Sequence, residues 1–386
     1  MGSNDAGWLA LIGALFWGSM APSSVFVAIY LKSSGLDYAA IGLVSAASVL
    51  ASSLPQIAFG RLIDRYGKHG TLIALSLFFR AFCLIMVALA ADAWSVSFWY
   101  VAAGLPTSLF MPSMQSMVAR TSVPDTLGIS MGSYRLGGSA GWAVMCLVSG
   151  LVASAFSDLR LAFGLGALLS VVNFLLSLPL ANRSDAPRSL PSTEEGKSRL
   201  GIDRSGSFYT TLFLGSLGLG ATSSFVTILL NELGGGPLMI GAVLAVGATA
   251  EVPAMYLGGK MSDKYGGMWI LSIGMAGLAV SYALYGIVNA LFACLFVQAL
   301  RGLFYGFFTV SGMAMSSSLG GAERGGLHAG FYNLVSTLGT SSGPYIGGLL
   351  SDQLGLRTMY WLSAGASLLG SGLSAVGTLT SRARRQ

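Results

Sequence analysis

With 386 residues, 54% of them hydrophobic and only 9% charged, the chain lacks the polar surface of a soluble protein, in which about a quarter of residues are charged. Its 21 bases and 15 acids leave a net charge of +6. The bases sit in short gaps between apolar runs rather than on one solvated face, which points to anionic lipid headgroups and away from nucleic acid.

A membrane span needs about 20 apolar residues. Twelve stretches qualify, near 8–31, 39–59, 71–91, 95–118, 129–155, 161–181, 208–230, 238–258, 268–288, 290–316, 328–350 and 359–379. No Lys or Arg precedes the first, so it reads as a retained span and not as a cleaved leader. Pro22, Pro55, Pro106, Pro112, Pro253 and Pro344 fall inside these stretches, which membrane helices tolerate. Cys83, Cys146 and Cys294 also lie within them, giving neither a disulfide framework nor zinc spacing.

Between the sixth and seventh spans, "ANRSDAPRSLPSTEEGKSRLGIDRSGS" is polar, rich in Ser and Pro, and without apolar period. It reads as a flexible linker. The division expected is a six-helix bundle over 1–181, a cytoplasmic linker over 182–207 and a second six-helix bundle over 208–386.

The two halves read as copies. "GRLIDRYG" at Gly60 pairs with "GKMSDKYG" at Gly259, "APSS" at Ala21 with "ATSS" at Ala221, and "SYRLGGSAG" with "FYNLVSTLG", at offsets of 199, 200 and 198 residues. Counting bases gives the orientation. With the gap after the second span inside, 15 bases fall in inner segments, 3 in outer gaps, and Arg80, Arg135 and Arg301 within spans. Both termini and the linker are therefore expected in the cytoplasm.

The inner gap "GRLIDRYGKHG" carries a compact set of roles. Gly60 permits close helix approach, and Gly67 a tight turn. Asp64 is placed to face a helix N-terminus or a base, and Arg65 and Lys68 hold the cytoplasmic face. This stretch resembles the G-x-x-x-D-R-x-G-R/K-R/K loop signature of the major facilitator superfamily, with a degenerate twin around Asp263. The resemblance implies twelve transmembrane helices in two pseudo-symmetric six-helix bundles, an all-α membrane protein. It further implies that Gly60, Asp64, Arg65, Gly67, Lys68 and Asp263 form a conformational-switch loop, Asp64 facing the stretch near Leu327 and Asp263 the start of the fifth span.

An ionisable group inside a membrane is a functional hypothesis by default. Glu251 lies eight residues before Gly259, about 12 Å from the inner end, and Arg301 is also near mid-depth. Two roles are open to them: a proton-coupling pair, or a static tie between the eighth and tenth spans. Gln298 and Tyr305 share a helix face with Arg301. Arg135, Ser139 and Trp142 share another, an arginine for hydroxyls and an indole against a ring. Arg80 lines a cavity or snorkels inward. For Ser23, Ser24, Ser223 and Ser224, bonding to their own helix backbone is the plainer account, with cavity lining the other.

"AEVPAMYLGGKMSDKYG" is similar to the eighth span of sugar efflux transporters and lactose-permease-like proteins, and "RLGGSAGWA" resembles the fifth span of galactoside permeases. That resemblance implies that Arg135 and Trp142 contact substrate, with Ser139, Gln298, Tyr305 and Arg80 as further lining. The fourth and tenth spans carry no acid, and Arg301 stands where the permeases have a histidine. Proton coupling is accordingly expected to centre on Glu251.

His69 and His328 stand at cytoplasmic helix ends, so no histidine relay crosses the membrane. No phosphate loop is present, and no constellation for covalent catalysis. The expectation is a secondary transporter of the cell membrane and not an enzyme. It would move a sugar-like or amphiphilic solute by alternating access coupled to H⁺, as a monomer without cofactor or metal. A multidrug antiporter and a transport-dead receptor on the same fold are the alternatives.

Overall fold

The computed structural model describes residues 3–56, 58–60, 63, 67–121, 127–181 and 202–383. Among the described residues the helices are α1 Ser3–Ser33, α2 Tyr38–Ser53, α3 His69–Leu89, α4 Ala93–Ala102, α5 Gly104–Thr121, α6 Leu127–Phe156, α7 Leu159–Ala181, α8 Ile202–Glu232, α9 Pro237–Tyr265, α10 Gly267–Ile287, α11 Ala293–Leu354 and α12 Leu356–Ala383. Among the described residues there is no strand, and nine stretches are long and apolar enough to cross a membrane. Within lipid every backbone N–H and C=O must be satisfied inside the chain, which helices do without a partner.

Helices and predicted spans differ in two places. The fourth span is broken at Ala103 into α4 and α5. Pro106, in the first turn of α5, has no N–H to give to the Ala102 carbonyl, and the Ala103 carbonyl accepts from the Arg80 and Thr107 side chains. The tenth and eleventh spans run together in the 62-residue α11. Between them "SSSLGGAERGGL" holds no proline, so nothing in that stretch forbids the i→i−4 ladder.

The chain folds as two compact units, one of residues 1–36, 47–190 and 234–245, the other of 37–46, 191–233 and 246–386. Helix α2 is divided between units after Ala46, and α9 after Ala245. In the first unit α1 packs along α6 and α7, and α3 along α7 and α5; in the second, α8 packs along α11 and α12, and α10 along α12 and α11. The pairing pattern of one half thus recurs in the other.

Each unit has its own apolar centre. In the first, Ile12 and Phe16 of α1 meet Ile73 and Leu77 of α3, Phe110 and Met114 of α5 and Leu180 of α7. In the second, Phe208 and Leu212 of α8 meet Leu271, Met275 and Tyr282 of α10, Phe308 and Tyr332 of α11 and Ala364 of α12. Large apolar side chains such as Phe98, Leu168, Phe296 and Leu369 are left outward, as lipid-facing positions require.

Candidate functional site

Three polar regions stand inside this apolar frame. The first is in the second unit. Gly247 of α9 lies so close to α11 that a Cβ there would meet the Gln298 side chain at 2.8 Å, and a Cβ at Gly302 would strike the Gly247 backbone. Further along, Gly306 is packed on Ala254, and Gly258 on Phe307. Residues 247, 251, 254 and 258 fall on one stripe of a 3.6-residue helix. Glu251 is therefore level with residues 302–306 of α11, the turn that carries Arg301 and Tyr305. Glu251, Arg301 and Tyr305 are half-buried.

Arg301 donates through Nη2 to the Ser223 hydroxyl of α8. The Tyr282 hydroxyl faces Thr222 and Arg301 and has no well-formed hydrogen bond of its own. Gln298 is buried and its Oε1 accepts from the Tyr285 hydroxyl at 2.5 Å, while Tyr285 and Tyr360 have ring centroids 5.5 Å apart. Two members of the predicted α11 face, Gln298 and Arg301, thus have named polar partners, and Glu251 comes to the same level. The three tyrosines were not anticipated. They stand in runs so apolar that no period marks the side facing the site; the i, i+3 spacing of Tyr282 and Tyr285 was the one available signal.

The second region is in the first unit, around Arg80 of α3. This residue is 3% exposed. Its Nη1 donates to the Ala103 carbonyl at 3.2 Å and to Thr107 Oγ1 at 3.0 Å, so the guanidinium closes the break between α4 and α5. It also lies 5.0 Å above the Phe16 ring centroid, and Phe16 stacks on Phe110 at 3.9 Å. The Tyr100 hydroxyl faces Ser24, Ser48 and Arg80. Of the other residues expected to line a cavity here, Ser139 and Trp142 of α6 are half-buried and Arg135 is exposed. Gly138, between them, packs on the Trp17 ring of α1.

The serines divide by role. Ser23 and Ser224 give their hydroxyls to carbonyls one turn back, Met20 and Gly220. Ser223 serves Arg301 and Ser24 faces Tyr100. All three cysteines are buried and free, and no group of metal ligands occurs among the described residues. His69 begins α3, and His328, within α11, meets the Tyr209 hydroxyl through Nδ1 at 2.7 Å.

The third region is the predicted switch loop. Gly67 turns the chain with φ +62° and Lys68 precedes α3. Asp64 and Arg65 lie outside the described residues. In the twin loop Asp263 is exposed, and Lys260 and Lys264 lie over the rings of Tyr256 and Tyr265.

Comparison with known proteins agrees with this architecture. The family model described as MFS_1 like family matches residues 8–362. An uncharacterized MFS-type transporter of Methanocaldococcus jannaschii is 28% identical over 166 residues, 43% of each chain, so that match spans well under half of the relative. An uncharacterized MFS-type transporter of Yersinia pestis is 25% identical over 366 residues, covering 92% of this chain and 91% of its own. The multi-drug resistance efflux pump PmrA of Streptococcus pneumoniae is 29% identical over 156 residues, 39% of this chain and 38% of the pump. Among solved structures, a bacterial homologue of the human lysosomal transporter Spinster superposes with a TM-score of 0.82 at 14% identity, covering 98% and 97% of the two chains. The nucleoside transporter NupG gives 0.73 at 18%, covering 96% and 97%.

Proposed function

The chain belongs to the MFS_1-like family of membrane transporters, and from that premise we propose that it is a secondary active transporter of a small organic solute, driven by H⁺ through Glu251. The two six-helix halves rock about a central site by alternating access, within the cell membrane and with both termini in the cytoplasm. One observation carries the coupling role: the glycine stripe of α9 brings Glu251 level with the turn of α11 that holds Arg301. A carboxyl within a span is a candidate proton carrier, and two influences act on it during a transport cycle: the water it meets and the guanidinium it meets. Arg301, on Ser223 and beside Tyr282, is placed to supply that second influence. The solute is sugar-like or amphiphilic, and Arg135, Ser139, Trp142, Gln298, Tyr305 and Arg80 are the side chains offered to it. The loop residues Gly60, Asp64, Arg65, Gly67, Lys68 and Asp263 set the balance between conformations.

Reconstitution of the full chain into liposomes tests this reading. A thermal-shift screen against sugars, aromatic acids and cationic drugs selects the solute. Glu251→Gln should then lower flux driven by a pH gradient by about tenfold or more, while counterflow exchange stays within about twofold of wild type. Undiminished pH-driven flux in that variant removes Glu251 from coupling, and no flux of any solute by wild type favours a receptor on the same fold. A second reading, a multidrug efflux antiporter, draws on the likeness to PmrA. It requires the screen to return several unrelated cationic drugs and no sugar.

A further inference from the structure

Arg80 stands in a bundle without acid. Asp and Glu are absent from residues 6–36, 38–63, 65–91, 93–124 and 126–157; of the nearest acids, Asp5 lies near the start of α1, Asp37, Asp92 and Asp158 lie just outside helices, and Asp64 and Asp125 fall outside the described residues. The guanidinium is nonetheless 3% exposed. It makes two hydrogen bonds, both through Nη1 and both to uncharged acceptors, Ala103 O and Thr107 Oγ1. Its Nε–H is buried with no acceptor. Taking a cation out of water without a counter-charge is costly, and leaving one of its donors unpaired adds to that cost. A purely structural brace across the α4–α5 break would need neither the charge nor the idle donor, since Thr107 already bonds the Ala103 carbonyl.

The second half holds a related centre built from different positions. There the arginine is on the tenth span and the tyrosine beside it, Tyr282, on the ninth; in the first half the arginine is on the third and Tyr100 on the fourth. In both, a hydroxyl of the half's first span completes the group, Ser24 in one and Ser223 in the other. Inheritance from a duplicated ancestor would keep like residues on like helices. Here the helices exchange residues while the grouping of guanidinium, phenol and first-span hydroxyl recurs, so the Arg80 centre is not an inherited copy of the Arg301 centre and its role is read from its own surroundings.

We propose that Arg80 is an anion-holding subsite, and that the transported solute is an organic anion: its carboxylate, phosphate or sulfonate accepts from the Arg80 Nε–H. A guanidinium fork suits a planar oxyanion by geometry as well as charge. This rests on the transport reading and narrows its substrate class from amphiphilic solutes in general to amphiphilic anions.

The test uses the purified full chain in detergent, with 4-hydroxybenzoate and phenyl phosphate as anionic probes, benzamide as a neutral one and tetraphenylphosphonium as a cationic one, read by thermal shift and by titration calorimetry. The expected result is saturable binding of an anionic probe, none of benzamide or tetraphenylphosphonium, and a loss of roughly tenfold or more in affinity in Arg80→Gln. Wild type indifferent to both anions, or Arg80→Gln within about twofold of wild type, overturns the proposal. Should Arg80→Gln fail to fold, Arg80→Lys decides, since it keeps the charge and loses the Nε–H: weakened anion binding supports the site, and undiminished affinity overturns it. Flux in liposomes separates this from the broader reading. Anion binding without any flux sinks transport and leaves the subsite, whereas flux of neutral or cationic solutes without anion binding does the reverse.

Discussion

Two helix crossings, one in each unit, invite comparison because they occupy equivalent places in the repeat. In the second unit the start of α2 meets α11: a Cβ at Gly42 would run into the Pro344 carbonyl, and one at Gly348 into that of Tyr38. In the first unit the start of α9 meets α6: Gly241 lies against the Cys146 carbonyl, and a Cβ at Gly150 would lie 2.6 Å from the Pro237 carbonyl. Gly42 and Gly241 are 199 residues apart, and Gly150 and Gly348 are 198 apart. Apolar packing is therefore the same device twice. The helix N-termini are handled differently. At α9 the first residue is Pro237, which has no N–H to satisfy. At α2 the donors are present and acids meet them: Asp352 accepts from the Tyr38 and Ala39 amides at 3.0 and 2.8 Å, and Asp37 from Ala40 at 2.7 Å. The Tyr38 hydroxyl then donates to Glu232 at 2.6 Å. The two helix starts thus differ: carboxylates meet the donors of one, and a proline without a donor begins the other.

The largest effects should come from the glycines, where the two crossings are alike. Gly348→Val and Gly150→Val each drive a side chain into main chain that cannot rotate away, an overpacking cost of about 1–3 kcal/mol or more. Thermal unfolding of the purified protein should show both variants lowered by similar amounts. Sensitivity at only one position would break the equivalence of the crossings. The carboxylate latch comes next, and there the crossings should part. Asp352→Ala removes both acceptors from the α2 N-terminus, about 1 kcal/mol by analogy with other helix caps. Pro237→Ala, at the equivalent helix start, should cost less. Tyr38→Phe and Glu232→Ala each remove the one exposed hydrogen bond between these side chains, worth about 0.5–1.5 kcal/mol at most. As both act on the same bond, the double variant should be no worse than Tyr38→Phe alone; additive losses would show that the two side chains act separately.

The comparison also shows which parts of the molecule could be read in advance. Spans were legible because a bilayer demands apolar runs of fixed length, whereas the units the chain forms, with 37–46 and 234–245 each grouped with the other half, were not. The face of α11 carrying Gln298 and Arg301 was legible from helical spacing. The latch was not: Asp352 and Tyr38 are 314 residues apart, and an acid at the end of an apolar run looks like any solvated residue. The break at Ala103 was hidden because Pro106 is as common in membrane helices that merely bend. The partners of Arg80 were hidden for a related reason. Thr107 and Phe16 are unremarkable in apolar runs, and their role follows from which helices meet.

The smallest effect concerns the same chemistry in its local form, and serves as the control for the latch. Asp92 caps α4 from the residue before it, accepting from the Ser95 amide at 2.9 Å and the Ser95 hydroxyl at 2.6 Å. The Ser95 hydroxyl, with help from its amide, lowers the Asp92 carboxyl from its ordinary value near 3.8, since these donors favour the ionised form. A group whose acidity is strengthened by folding stabilises the fold above its unfolded pKa and loses that contribution as pH falls through the folded one. Asp92→Ala should therefore unfold slightly earlier than wild type at neutral pH, with the gap closing as pH drops below about 4. A gap that persists at acid pH would mean that packing, and not the charged cap, sets it. The shift should also stay below that of Asp352→Ala, because Asp92 ties a helix to its own preceding turn, whereas Asp352 ties together two segments that the chain leaves 314 residues apart.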